Sequence, residues 1–308
     1  MANLQDRQKS YTKPLVSVVL TTKNEEKNIE TCLVSVNEQT YKPIEIIIVD
    51  NNSTDRTKEI AGRYTHHVYN KGPERSAQRN YGMIDAATGE YVMFVDADMI
   101  LAPHLVESCV QAMQTGKFAA LHIPEIILGT NYFSKVRRFE RSFYNGTVID
   151  GTRFFKKNVF VQVGGFDPTL SGPEDWDIDK KIKQIGSIGL LDMMEKDVSF
   201  WSLKPYIESH GIQTIYSNVI YHNEADFSLR NYLSKKSYYS NSFHNYIEKW
   251  GKNDPDIRRQ FGLWYRYFGV FLEKSKWKRM LRSPHLAFGM YFLRLLVGVV
   301  YLLKRIKT

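Results

Sequence analysis

The sequence predicts an α/β fold: a mostly parallel sheet with helices on both faces, followed by a helical C-terminal region. Three observations carry this. Short Val- and Ile-rich runs alternate with helical patterns at the spacing of βα units. With 308 residues, 43% hydrophobic and 24% charged, the chain can bury a sizeable core, which excludes a disordered, collagen-like or short peptide module. The charge is also segregated. From Ser228 onward there are 17 basic and 4 acidic residues, whereas the part before it holds 25 basic and 29 acidic, so the net +9 belongs to the tail.

Residues 15–21 (LVSVVLT), 44–49 (IEIIIV) and 91–95 (YVMFV) read as buried parallel strands, since their apolar runs are nearly continuous rather than alternating. Between them 29–37, 54–63 and 75–87 carry helical periodicity, with Ser53, Thr54 and Asp55 as an N-cap and Gly89 as a stop. From 131 to 223 glycines and Pro173 mark loops around short strands and a helix near 177–184. Residues 257–273 space Phe261, Trp264, Tyr265, Phe268, Phe271 and Leu272 on one face of a basic amphipathic helix. Residues 286–303 form an 18-residue apolar run interrupted by Arg294. Its eleven Leu, Phe and Val residues favour insertion by about 3–6 kcal/mol against a cost of about 2.5–3.5 for the arginine. Both flanks are basic, so the expectation is a helix lying in, or re-entering from, the cytoplasmic membrane interface, with a core helix of the catalytic domain as the alternative. The boundaries expected are an N-terminal extension over 1–14, a catalytic domain over 15–227 and a membrane-associating region over 228–308. The N-terminus lacks the apolar stretch of a signal peptide, and Cys32 and Cys109 match no disulfide framework or metal spacing, which points to a reducing compartment.

In an open parallel sheet ligands bind beyond the carboxyl ends of the strands. Those ends carry Thr21 and Thr22, then Asp50, Asn51 and Asn52, then Asp96 and Asp98. Two carboxylates two residues apart suit a hard divalent cation that bridges phosphate oxygens, and they also suit a turn. A second acidic group, Glu174, Asp175, Asp177 and Asp179, follows a Gly-Pro turn, where Glu174 and Asp175 are placed to serve as a general base and the other two to favour a helix N-terminus. His222 gains a role only if its strand returns beside Asp98. Arg75, in a run with Lys71 and Arg79, could meet phosphate.

Taken together, SVVLTTKNE, IEIIIVDNNSTDRT, ERSAQRNYG, GEYVMFVDADM, VGGFDPTLSGPEDWDID and His222 resemble the inverting glycosyltransferase family 2, over residues 15 to about 225. The resemblance implies a GT-A (Rossmann-like) fold and transfer of a sugar from a nucleotide-diphosphate donor. It implies that Thr21, Glu25 and Asp50 line the base and ribose and that Arg75 approaches the diphosphate. Asp96 and Asp98 would form the DXD motif, with Asp98 binding Mn²⁺ or Mg²⁺ directly and His222 near a metal or diphosphate contact. Asp175 would be the catalytic base, with Glu174 its partner. Asn51 stands where many members carry a second aspartate, so uridine, guanosine and thymidine donors stay open. The basic, aromatic tail resembles that of members acting on lipid-linked acceptors. The expected partners are therefore a nucleotide sugar, a lipid-linked or polysaccharide acceptor and an anionic membrane surface. Direct transfer to a polyprenyl phosphate and a catalytically silent membrane module are the alternatives. Nucleic acid is not expected, because the sheet domain is net acidic.

Overall fold

The computed structural model describes residues 13–307, so most of the 1–14 extension lies outside the described residues. Among the described residues ten strands form in chain order: β1 Val16–Thr22, β2 Ile44–Asp50, β3 Val68–Asn70, β4 Tyr91–Asp96, β5 Met99–Leu101, β6 Ala120–His122, β7 Glu125–Leu128, β8 Thr152–Lys156, β9 Ile188–Leu190 and β10 Ile220–Asn223. Seven make the main sheet in the order β3-β2-β1-β4-β8-β6-β9, and only β8 runs against the rest. A small second sheet, β5-β10-β7, stands beside it.

The near-continuous apolar strands follow from burial on both faces. Val16, Val18 and Leu20 of β1, with Tyr91, Met93 and Val95 of β4, point to a cluster closed by helices Ile29–Asn37 and Leu105–Gln114. Val19 of β1, Ile47 and Val49 of β2 and Phe94 of β4 point to the opposite cluster, closed by Met83, Phe160 and, from helix Glu174–Lys183, Ile178 and Ile182. Successive strand residues thus serve two cores, as the pleat requires.

Several boundaries differ from expectation. The helix expected over 54–63 is the short Thr57–Ala61, because Ser53 turns back to Asp50 and Asp55 accepts from Thr57 N instead of capping a longer helix. The segment 75–87 starts as Arg75–Asn80 and widens into a π-helical turn, Tyr81–Ala86. Its stop is not Gly89, whose N–H is tied to Ser17 Oγ at the start of β4. The helix near 177–184 begins earlier, at Glu174.

The tail is not one amphipathic helix over 257–273. Helix Pro255–Phe261 ends at Gly262, whose extended ψ of 123° breaks it before the turn Tyr265–Gly269. Tyr265 and Phe271 face inward, while Trp264 and Phe268 face solvent. The apolar run lies within helix Pro284–Lys307, which packs along helix Tyr132–Arg141. Gly289 permits that approach, since a Cβ there would lie 2.5 Å from Tyr132 Oη. Met290 and Leu293 enter a cluster with Val136, Phe143 and Phe271. Arg294 turns the same way, its Nε 3.0 Å from Glu140 Oε1, so it faces protein rather than lipid. Only 28% of the helix's apolar window is buried, and its outer face presents Phe288, 74% exposed, with Leu295 and Leu302. One helix thus combines a core face with an apolar face that is exposed among the described residues. Cys32 and Cys109 are buried and unbridged.

Candidate active site

The parallel register places the expected residues on one edge. Thr22 is level with Asp50, and Thr21 with Asp96, at the point where β1 lies between β2 and β4 and the strand order reverses. Asp50 is fully buried and its carboxylate is committed to the loop: it accepts from Thr22 Oγ1 (2.8 Å), Ser53 N (2.7 Å) and Ser53 Oγ (2.5 Å). It therefore braces the loop after β2 instead of presenting a free carboxylate, as a base-lining role would need. Asn51 donates to Pro73 O (3.0 Å). The loops after β1 and β2 are stitched together by Asn24 N to Ser53 Oγ (2.8 Å) and Glu25 N to Thr57 Oγ1 (2.7 Å). Burial raises the Glu25 carboxyl, Asn28 partly offsets this, and the charges of Asp98 and Asp96 add to it.

Helix Arg75–Asn80, capped by Glu74 on Ala77 N, sets Arg75 and Arg79 one turn apart on one face. Arg79 is the centre of the site. Only 2% of its side chain is exposed; Nη2 lies 2.9 Å from Asp96 Oδ1 and Nη1 3.3 Å from Asp175 Oδ1, while the guanidinium stacks 4.0 Å from the Phe94 ring centroid. Arg75 pairs with Glu174, whose second oxygen accepts from Gly172 N. Glu174 is buried and fully engaged, so it positions the arginines rather than meeting an acceptor. Asp175 instead keeps 30% of its side chain exposed. Burial and the adjacent Glu174 charge push its carboxyl up to about 6 against the pull of Arg79, Arg153 and Arg75. Gly151 packs directly behind it, where a Cβ would come within 2.8 Å of Asp175 Cβ. Asp96 has the opposite bias: burial is outweighed by Arg79, Arg153 and Arg75, which hold it ionised far below the usual range.

The strand containing His222 does return beside Asp98. β10 pairs with β5, Asn223 N donates to Asp98 O (2.8 Å), and His222 Nε2 lies 3.1 Å from Asp98 Oδ2. Its Nδ1 lies 2.8 Å from Glu125 Oε1. Burial would keep the ring neutral, but the Asp98 and Glu125 carboxylates push it well above the ordinary histidine range. Two donors 3.1 Å apart have the spacing of neighbouring ligands on an ion bound at about 2.1 Å. Asp98 Oδ1 is buried without a hydrogen-bond partner among the described residues. Among the described residues no group of three or more His, Cys, Asp or Glu is placed to hold a metal, so Asp98 and His222 alone would leave most of a cation's coordination to other oxygens. Asp96, committed to arginines, suits it less than Asp98.

Sequence reading missed the support for these groups. Glu125 joins His222 to Arg153 (3.2 Å) and Arg141 (3.5 Å); Arg141 holds Asp150 (2.8 Å), which faces His122 (3.7 Å), and His122 meets Asp179 (2.6 Å). Asp179 is therefore part of a buried ionic chain and not a helix-end charge. Asp177 is buried too, accepting from Trp250 Nε1 (2.8 Å). The one legible signal was Arg79, four residues after Arg75.

The glycosyl transferase family 2 model matches residues 17–168, the span of β1 to β8, which holds Asp50, Arg75, Arg79, Asp96 and Asp98 but not Glu174, Asp175 or His222. Over that stretch the chain belongs to glycosyl transferase family 2. GlyG of Streptococcus pneumoniae is 37% identical over 108 residues, 32% of this chain and 35% of that protein. The GalNAc(5)-diNAcBac-PP-undecaprenol beta-1,3-glucosyltransferase of Campylobacter jejuni is 30% identical over 113 residues, 33% and 36% of the two chains. The matches thus span about a third of these relatives. Mannosyltransferase PcManGT of Pyrobaculum calidifontis, solved with GDP-Man and Mn2+, has a TM-score of 0.55 over 94% of this chain and 87% of its own at 18% identity, a likeness of fold. The fold is GT-A, as the family 2 motifs imply.

Proposed function

We propose that this family 2 protein transfers a sugar from a nucleoside-diphosphate donor, with inversion, to a lipid-linked or surface saccharide at the cytoplasmic face of a membrane. The observation that carries the reading is Arg79, which locks the base candidate Asp175 and the strand-end Asp96 to one guanidinium. Asp175 takes the proton of an acceptor hydroxyl as its oxygen bonds to the anomeric carbon and the bond from that carbon to the diphosphate breaks. Arg75 faces the leaving phosphates, and Glu174 holds it there. Asp98 and His222 would hold Mn²⁺ or Mg²⁺, which would neutralise charge on the leaving group. The names of PcManGT's ligands and of the undecaprenol-linked substrate of the Campylobacter relative support donor and acceptor classes respectively.

Full-length protein is expected to gain thermal stability with one of UDP, GDP, TDP or CMP in the presence of Mn²⁺, by about 2.7 kcal/mol at 100 times the dissociation constant. Asp98→Ala should abolish the Mn²⁺-dependent part. Absence of a shift with every nucleotide would overturn the reading.

The membrane part rests on exposed Leu263, Trp264, Leu281 and Phe288 beside Lys278 and Arg282. Each basic residue near an anionic surface contributes about 1 kcal/mol. The protein should therefore sediment with phosphatidylglycerol-containing vesicles, less so in high salt, and weakly with phosphatidylcholine alone. Equal recovery in the supernatant with and without vesicles would refute membrane association.

A further inference from the structure

The C-terminal region reaches the catalytic edge through helix Leu229–Tyr239. Its first turns are anchored away from the site: Tyr232 packs into the cluster containing Met290 and Leu293 of the last helix, and Arg137 stacks 5.2 Å from its ring. Its last turn sits on the loop before Glu174. Gly172, at φ +108°, has no side chain there, and a Cβ would lie 2.6 Å from Tyr239 Cβ. Ser171 N donates to Ser242 Oγ (3.0 Å), fastening the same loop to the segment after the helix.

This docking brings two side chains to Arg75. Tyr239 Oη accepts from Arg75 Nη1 at 3.5 Å, and the guanidinium lies 5.7 Å from the ring centroid. The Lys235 ammonium lies 5.9 Å from the same ring. Lys235 is exposed and makes no ion pair with a carboxylate among the described residues. Lys235 and Arg75 thus lie against the same Tyr239 ring, 5.9 and 5.7 Å from its centroid, which brings the ammonium to the edge where Arg75 meets Glu174. An ammonium carries three donors on a flexible stem and binds phosphate as a point charge.

We infer that Lys235 binds the diphosphate of the donor opposite Arg75, and that Tyr239 holds Arg75 in place, so the C-terminal region completes the donor site as well as reaching the membrane. This rests on the proposed function. The ligand is a nucleoside diphosphate, recognised here by its phosphates and not its base.

Calorimetric titration of the full chain with UDP, GDP and TDP, and with the corresponding nucleosides, in MnCl₂ tests this. Lys235→Ala is expected to weaken the preferred diphosphate about tenfold, leave the nucleoside affinity and the thermal midpoint unchanged, and be largely rescued in Lys235→Arg. Undiminished diphosphate affinity in Lys235→Ala, or an equal loss for the nucleoside, would overturn the inference while leaving the donor reading intact. Failure of the wild-type protein to bind any diphosphate would overturn both.

Discussion

Asp175→Asn is expected to lower the transfer rate about 10²- to 10⁴-fold, the range for loss of a positioned general base, with donor affinity unchanged. The amide is isosteric, so it still fits against Gly151, and its oxygen can still accept from Arg79. What it loses is the ability to take a proton. The sign of the pH dependence follows from the same geometry. The base must be ionised, and its carboxyl is pushed up to about 6 by burial and by Glu174. The wild-type rate should be level above that point and fall about tenfold per pH unit below it, whereas an ordinary aspartate would hold its rate to about pH 4. Rate against pH together with donor calorimetry on both proteins checks this. Wild-type turnover in the variant would remove Asp175 from the role, and a wild-type profile flat down to pH 4 would show that its carboxyl is not raised in the working enzyme.

Arg294→Met should destabilise the protein by about 3 kcal/mol, the lower end of the cost of removing one partner of a buried ion pair. The lower end applies because Glu140 keeps Arg137 at 2.7 Å and the Tyr144 hydroxyl at 2.5 Å. Arg294→Met combined with Glu140→Leu should recover much of the loss, since an apolar pair in such a position is often neutral. Burial alone would raise the Glu140 carboxyl, but Arg294, Arg137 and Tyr144 bring it down to about 2. Its contribution to stability is therefore present above its unfolded value of 4.5 and is lost as pH falls toward 2, and the variant should lose less over that window. Denaturant unfolding of both variants reads these effects. An unchanged midpoint in Arg294→Met would mean that the last helix is not docked on helix Tyr132–Arg141. Removing residues 284–308 should for the same reason uncover Val136 and Phe143 and yield aggregate, not a soluble enzyme.

Much of the site was legible because its chemistry is local in the chain. The strand-end aspartates, the Glu174–Asp175 pair and Arg75 each sit where a strand stops or a helix starts, and apolar periodicity locates those points. The roles within the set were less legible. Asp50 and Glu174 read as ligand-facing acids, yet both are satisfied by neighbours that fold back on them, Ser53 in one case and Arg75 with Gly172 in the other. Arg153, Glu125 and Arg141 gave no signal, because no local pattern marks a buried charge whose partners come from distant strands.

By itself the sequence determined the α/β class, the two-faced burial of β1, β2 and β4, the order of strand-end residues and the basic, apolar tail, all of which follow from short-range periodicity and composition. Tertiary structure alone decided that Arg79 joins Asp96 to Asp175, that His222 meets Asp98, and that Arg294 faces Glu140 instead of lipid. It also brought Tyr239 of the tail against Arg75, with Lys235 on the same ring. These are pairings between groups far apart in the chain, and burial makes them specific: a charge withdrawn from water must find its partner, and only the packed fold determines which one it meets.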